Sequence, residues 1–299
     1  MGIDTGQARS TDGAQDRPLI LCADDYAAGA AVSRGIAELA RSGRVTATSA
    51  MTLSPRWPQD AAALRELRGR IDVGLHLDWT SPFAVAAGHG ATLPRIMLRA
   101  ALGGIDRQYA RSVIERQLDT FEAAWQAPPD HVDGHQHVQQ FAGIRAALLD
   151  ALAQRYPQRK PWLRISRLGA GQGGLKGRVI GALGAAALAR QAAQADWPCA
   201  PELWGVYDFA GGPARYATLM DGWLSRAPAH AVLMCHPGQG AADGDDPIAA
   251  ARQWEFDVLG SPAFAQALAR HGIRLARGSS TESLFRSHGS QVARSAVDD

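Results

Sequence analysis

Pro18-Leu-Ile-Leu-Cys-Ala-Asp24-Asp25 is a short apolar run that stops at two adjacent carboxylates. Such a run reads as a buried strand, and residues 33–42, where Ile36, Leu39 and Ala40 recur at helical spacing, read as the helix that follows it. The pattern repeats along the chain. Residues 45–53, 71–77, 131–133, 162–166, 231–235 and 273–276 read as further strands, and 59–67, 109–125, 144–155 and 264–271 as helices. Between the third strand and the helix at 109, a stretch with Pro82, Gly88, Gly90 and Pro94 reads as a long loop. The Ala-rich residues 179–195, interrupted by Gly181, Gly184, Arg190 and Gln191, read as an amphipathic surface helix. Apolar runs alternating with helices predict an α/β fold, a parallel sheet with helices outside, closed into a barrel or nearly so. The boundaries predict one barrel domain over 18–278, a flexible N-terminal segment over 1–17 and a flexible tail over 279–299.

At 299 residues, 46% hydrophobic and 20% charged, the chain is long enough for one large core. Its 31 basic and 29 acidic residues leave a formal charge of +2 with no basic stripe, so nucleic acid is not an expected partner. Cys22 and Cys235 sit in apolar runs, and the three cysteines lack CxxC spacing, so they read as reduced structural thiols. Residues 1–17 lack the basic start and apolar stretch of a secretory signal, and no apolar run is long enough to span a bilayer. A soluble cytoplasmic protein is the expectation, and a homodimer is compatible with a sequence silent on assembly.

Four polar clusters end apolar runs: Asp24-Asp25, His76 in Gly-Leu-His-Leu, Asp133-Gly-His135-Gln-His137, and His236 in Cys-His-Pro-Gly. In an α/β barrel the carboxyl ends of strands carry the site, so the clusters belong together. Two carboxylates and three imidazoles around one divalent ion point to hydrolysis by activated water. Each cluster also has a plainer reading. Asp24 and Asp25 either cap the next helix or divide the work of metal ligand and base. His76 alone reads as a core histidine. His135 and His137 alternate along an extended segment and should face opposite ways, so at most one is a ligand, and which one stays open. Asp133 either orients an imidazole or makes a turn. His236 either delivers a proton to a departing amine or is structural. Arg164 reads equally as a contact to a substrate hydroxyl or phosphate and as a surface ion pair. Trp204, Tyr207 and Phe209 read as packing before sugar contact. His89, His230 and His271 read as surface residues, and Asp243, Asp245 and Asp246 as a solvated loop.

Assembled, the clusters resemble the YdjC/ChbG/HpnK family of carbohydrate deacetylases, related to the NodB-type polysaccharide deacetylases. The likeness runs from about Leu19 to Ala276. It is carried by Ala-Asp24-Asp25-Tyr, Gly43-Arg-Val-Thr-Ala-Thr-Ser-Ala-Met51, Gly-Leu-His76-Leu, Asp133-Gly-His135-Gln-His137-Val and Cys-His236-Pro-Gly, with Arg252-Gln-Trp-Glu255 and Leu259-Gly-Ser-Pro262 behind them. The resemblance implies a distorted TIM-like (β/α) barrel and an N-deacetylase of amino sugars. It further implies that Asp25, His76 and His135 hold a divalent metal, with Asp24 as general base and His236 as general acid. Two imidazoles tilt the metal toward zinc, with magnesium the alternative. Members often carry Phe-Gly where this chain has Tyr26-Ala27, and another His where Gln139 stands.

The expected partner is an acetylated amino sugar, a chito-oligosaccharide or a carrier-linked glycan. Two other functions fit the same residues: hydrolysis of another acyl or phosphoryl ester, and a non-catalytic sugar-binding barrel. The complete set of base, acid and ligands argues against the last.

Overall fold

The computed structural model describes residues 16–169, 172, 174, 181–241 and 244–280. The predicted flexible segments, apart from their innermost residues, lie outside the described residues, as do parts of the 169–180 stretch and Asp243. In chain order the elements are β1 (Arg17–Tyr26), α1 (Ala30–Arg41), β2 (Ala47–Ala50), α2 (Trp57–Leu64), β3 (Asp72–Leu77), α3 (Pro82–Ala86), α4 (Leu93–Ala101) and α5 (Arg107–Trp125). Then follow β4 (His131–Gly134), a 3-10 segment (His135–Gln140), α6 (Ile144–Arg155), β5 (Trp162–Leu163) and α7 (Ala185–Gln194). The chain continues with β6 (Leu203–Trp204), α8 (Gly212–Arg226), β7 (Val232–Cys235), α9 (Ala249–Gly260), α10 (Pro262–Arg270) and β8 (Ile273–Leu275).

The strands pair in parallel in the order β5-β4-β3-β2-β1-β7-β6, with β8 beside the first residues of β1. No ladder joins β5 to β6. Single parallel bridges, Leu163 with Cys199 and Leu168 with Leu203, span that gap, so the α/β barrel is closed loosely there and is distorted. The predicted strand at 162–166 is therefore shorter than expected.

Strand periodicity sorts the side chains into two cores. Leu19, Leu21 and Ala23 of β1, Leu75 of β3, Val132 of β4 and Leu233 of β7 belong to the large core shared with the helices. Ile20, Cys22, Trp162, Val232 and Met234 belong to a smaller cluster inside the barrel. Continuing the inward phase to the strand ends leads to Asp24, His76, Asp133, Arg164 and His236. Gly74 lies on this phase too, and a Cβ there would meet the His131 ring at 2.4 Å. The absent side chain makes room for an imidazole stacked on Trp162 in the lumen, with centroids 4.4 Å apart.

The segment predicted as a long loop after β3 contains two helices. Ser81 caps α3, accepting from Phe83 N–H, and Pro82 stands in the first turn, where its missing N–H costs nothing. Helices α8 and α9, which the sequence reading passed over, pack against each other, and α9 also packs against α1. Among the described residues, no helix is long and apolar enough to cross a membrane.

Candidate active site

The two adjacent carboxylates both reach the pocket because β1 is bulged between them. Ala23 is opposite Thr48 and Tyr26 opposite Ala50, so two residues of β1 face the single Ser49 of β2. Asp25 takes a left-handed φ of 69° and Ala27 one of 72°. Aspartate tolerates that region, whereas Ala27 stands in it where family members often carry glycine. Neither Asp caps α1, whose N-cap is Gly29, so the capping alternative falls.

Asp24 is buried and held by a bidentate ion pair: Arg164 Nη1 donates to Oδ1 at 2.6 Å and Nη2 to Oδ2 at 2.7 Å. Arg164 also lies 3.1 Å from Asp133 Oδ2. Arg164 is completely buried and does not line the pocket, so the surface ion pair is overturned: the guanidinium stands behind the pocket and pairs with its carboxylates. Asp133 sits directly across from His76 in the β3–β4 register and bonds its Nδ1 at 2.6 Å. Ser49 Oγ donates to the other Asp133 oxygen at 2.5 Å. Asp133 therefore orients an imidazole, that of His76. Burial would raise the Asp133 carboxyl, but Arg164 and His76 outweigh it and hold it well below the usual range.

Asp25 faces the other way round. Its Oδ1 is 3.4 Å from His76 Nε2, and its Oδ2 accepts from Arg252 Nη2 at 2.8 Å. His135 stands edge-on to His76, ring centroids 5.8 Å apart, with its Nδ1 bonded to Thr80 Oγ1 at 2.7 Å. Residues 135–140 form a 3-10 turn in which Gln136 and His137 have positive φ, so the extended segment expected there is absent. Both His135 and His137 consequently line the pocket instead of facing opposite ways. His137 bonds Ser166 Oγ through Nδ1 at 2.9 Å. Gln139, at the position where members often have histidine, is buried and donates to Arg164 O and Ser166 Oγ.

His236 Nε2 lies 3.9 Å from Asp24 Oδ2. Burial drives its imidazole down to about 4 despite the nearby Asp24 and Asp25 carboxylates. For His76 burial also acts downward, but Asp133 and Asp24 outweigh it and lift the ring to about 10.

Asp24, Asp25, His76, His135, His236 and Arg252 line a cavity of about 1020 Å3 together with Thr80, His137, Tyr207 and Phe209. Trp204 does not line it. The indole is buried in the outer core, below the Arg226 guanidinium, and donates to Glu202, in the packing role read first for it. His89 and His230 are buried, contrary to the surface reading, while His271 is half-buried against Asp221. Asp246, read as a solvated loop residue, pairs with Arg252 Nε at 2.6 Å. Sequence reasoning did not single out Ser49, Thr80 or Ser166. Their partners Asp133, His135 and His137 lie 84, 55 and 29 residues away, a distance that leaves no mark in local sequence.

Donor sets can be tested against a divalent ion. Ligand atoms of Asp24, His76 and Asp133 lie within 4.8 Å of one another, as do those of Cys22, His131 and Asp133. Arg164 already engages the carboxylates in both sets, and its charge opposes a cation there. On the Asp25 side the chemistry fits better. His76 and His135 each commit Nδ1 to a neighbouring oxygen and leave Nε2 for an ion, the arrangement that outer hydrogen bonds impose on metal-binding histidines. Asp25 Oδ1 lies 3.4 Å from His76 Nε2, and Arg252 engages the other oxygen, Oδ2, so that Oδ1 is left to face the imidazoles.

Comparison with known proteins gives a consistent family. A family profile described as YdjC-like protein matches residues 18–270. A carbohydrate deacetylase of Homo sapiens is 28% identical over 296 residues, covering 86% of this chain and 88% of that protein. A chitooligosaccharide deacetylase of Klebsiella pneumoniae (strain 342) is 28% identical over 270 residues, covering 87% and 97%. Among solved structures, one from Enterococcus faecalis V583, named for cellobiose-phosphate cleavage, shares the fold with a TM-score of 0.66 at 22% identity, covering 89% of this chain and 99% of that one.

Proposed function

This chain belongs to the YdjC-like protein family, and we propose that it hydrolyses the N-acetyl group of an amino sugar, either a chito-oligosaccharide or a carrier-linked glycan. The names of its relatives support deacetylation. The observation that carries the reading is the split carboxylate pair, with Asp24 turned toward Arg164 and His236 and Asp25 toward His76 and Arg252.

In this reading Asp25, His76 and His135 hold a divalent ion, zinc before magnesium because two of the three donors are imidazoles. When bound, such an ion polarises the acetamide carbonyl and lowers the pKa of water. The remaining chemistry belongs to the chain. Asp24 takes the proton of the attacking water, and the two Arg164 bonds fix the plane of its carboxylate. His236 protonates the amine, which leaves poorly as an anion. As a buried imidazole driven to about 4, His236 starts neutral. Only 3.9 Å separates its Nε2 from Asp24 Oδ2, so the proton collected by the base has a short path to the donor. Tyr207 and Phe209 wall the leaving-group side, where Phe209 meets the His236 ring edge to face.

The test is acetate release from diacetylchitobiose and a panel of N-acetylated amino sugars. Metal-loaded protein should release acetate, a chelator should stop release, and added zinc should restore it. Absence of release from every member by metal-replete protein would refute the reading.

A further inference from the structure

The three imidazoles of the site are not held alike. His76 and His135 are fixed through Nδ1, by Asp133 and Thr80. The Nδ1 of His236 is buried and, among the described residues, has no hydrogen-bond partner. What holds His236 is its main chain. Glu255 Oε2 accepts the His236 N–H at 2.5 Å, and Arg252, one turn earlier on α9, directs Nη1 at the His236 carbonyl at 3.4 Å. Gly238 N–H donates to the Arg252 carbonyl at 3.0 Å, continuing the attachment past Pro237. The same two residues reach the rest of the site. Glu255 Oε1 accepts from Tyr207 OH at 2.7 Å and Oε2 from Tyr216 OH at 3.4 Å, while Arg252 pairs with Asp25.

We infer that Glu255 is a positioning residue for the proton donor: with Arg252 it clamps the backbone of residue 236 and so sets the Nε2 to Asp24 distance, and it ties that donor to Tyr207 in the pocket wall. A buried carboxylate needs a reason to be retained, because removing it from water is costly without compensation. Glu255 is fully buried, and among the described residues it makes no ion pair within 4.0 Å. Its compensation is three hydrogen bonds, all from groups at the donor side of the pocket. The inference rests on the deacetylase reading, since it assigns to His236 the proton that the amine receives.

The test compares leaving groups. The wild type, Glu255→Gln, Glu255→Asp and His236→Asn are assayed on diacetylchitobiose, whose amine must be protonated, and on 4-nitrophenyl acetate, whose phenolate departs without a proton. General acid catalysis contributes roughly 10²- to 10⁴-fold, so misplacing the donor should lower kcat on the amide by about 10- to 100-fold. KM for the amide and kcat on the ester should stay within about threefold. Glu255→Asp, which keeps the charge but not the reach, should lose as much as Glu255→Gln or less. In a His236→Asn background, Glu255→Gln should cost almost nothing further. Equal losses on both substrates, additive losses in the double variant, or an unchanged amide kcat would each overturn the inference. Failure of the underlying reading shows separately, as no acetate from any amino sugar with the wild type, and removes the inference with it.

Discussion

The Asp24 side and the His236 side of the pocket, base and acid in the proposed reaction, are built by different means. On the base side, Asp24, Arg164, Asp133, His76 and Ser49 form a buried network in which side chain locks side chain, with separations of 2.5 to 3.1 Å. On the acid side, His236 presents an imidazole whose Nδ1 bonds nothing among the described residues, on a backbone gripped from α9. The base must be ionised and correctly aimed when the water attacks, and ion pairing suits both needs. The donor must gain and lose a proton. A charged partner bonded to its Nδ1 would favour one protonation state, whereas a main-chain clamp fixes position without one.

Substitutions can break this contrast, beginning with the base. Asp24→Asn should lower kcat for acetate release by about 10²- to 10⁴-fold, measured with metal-loaded protein. Arg164→Met should act mainly on the fold. It strips the buried Asp24 of its bidentate ion pair and leaves Asp133 with His76 and Ser49 alone, and urea unfolding should register a loss of about 3–5 kcal/mol.

Across the pocket, the expected signature is a pH slope. Burial pushes the Glu255 carboxyl from an ordinary 4.5 up to about 7, so the folded state holds the proton more tightly than the unfolded one. The associated stability is fully present below about 4.5 and is lost as pH rises through about 7, by up to about 3 kcal/mol at 1.36 kcal/mol per unit. In urea unfolding from pH 5 to 8, wild type should lose stability relative to Glu255→Gln as pH rises; a constant difference would contradict the assignment. The smallest effect belongs to Asp133→Asn, which weakens the grip on His76 Nδ1. Competition with a chelator should show metal affinity reduced by about 10- to 100-fold.

Much of the architecture was legible from periodicity. The 144–155 helix was read at its observed bounds, and the strands at 71–77 and 231–235 lie within a residue or two of theirs. Where local pattern was weak, the reading failed. The Pro- and Gly-containing stretch after β3 hides two short helices because its prolines stand in first turns, where they start helices as readily as they stop them. Residues 135–137 alternate like a strand in sequence, yet positive φ at Gln136 and His137 turns them into a loop that brings both imidazoles to the pocket. Arg164 looked ambiguous because its partner is 140 residues away.

Local spacing and residue type are enough to read that strands carry polar residues at their ends, to gather Asp24, Asp25, His76, His135 and His236 as candidates for one pocket, and to recognise the family. Which neighbour each group answers to emerges from the folded chain alone: Arg164 for Asp24, Asp133 for His76, Arg252 for Asp25 and Glu255 for the backbone of His236. A strand's period sets which face a side chain takes, whereas its partner depends on register, on a bulge such as the one between Ala23 and Tyr26, and on how the barrel closes.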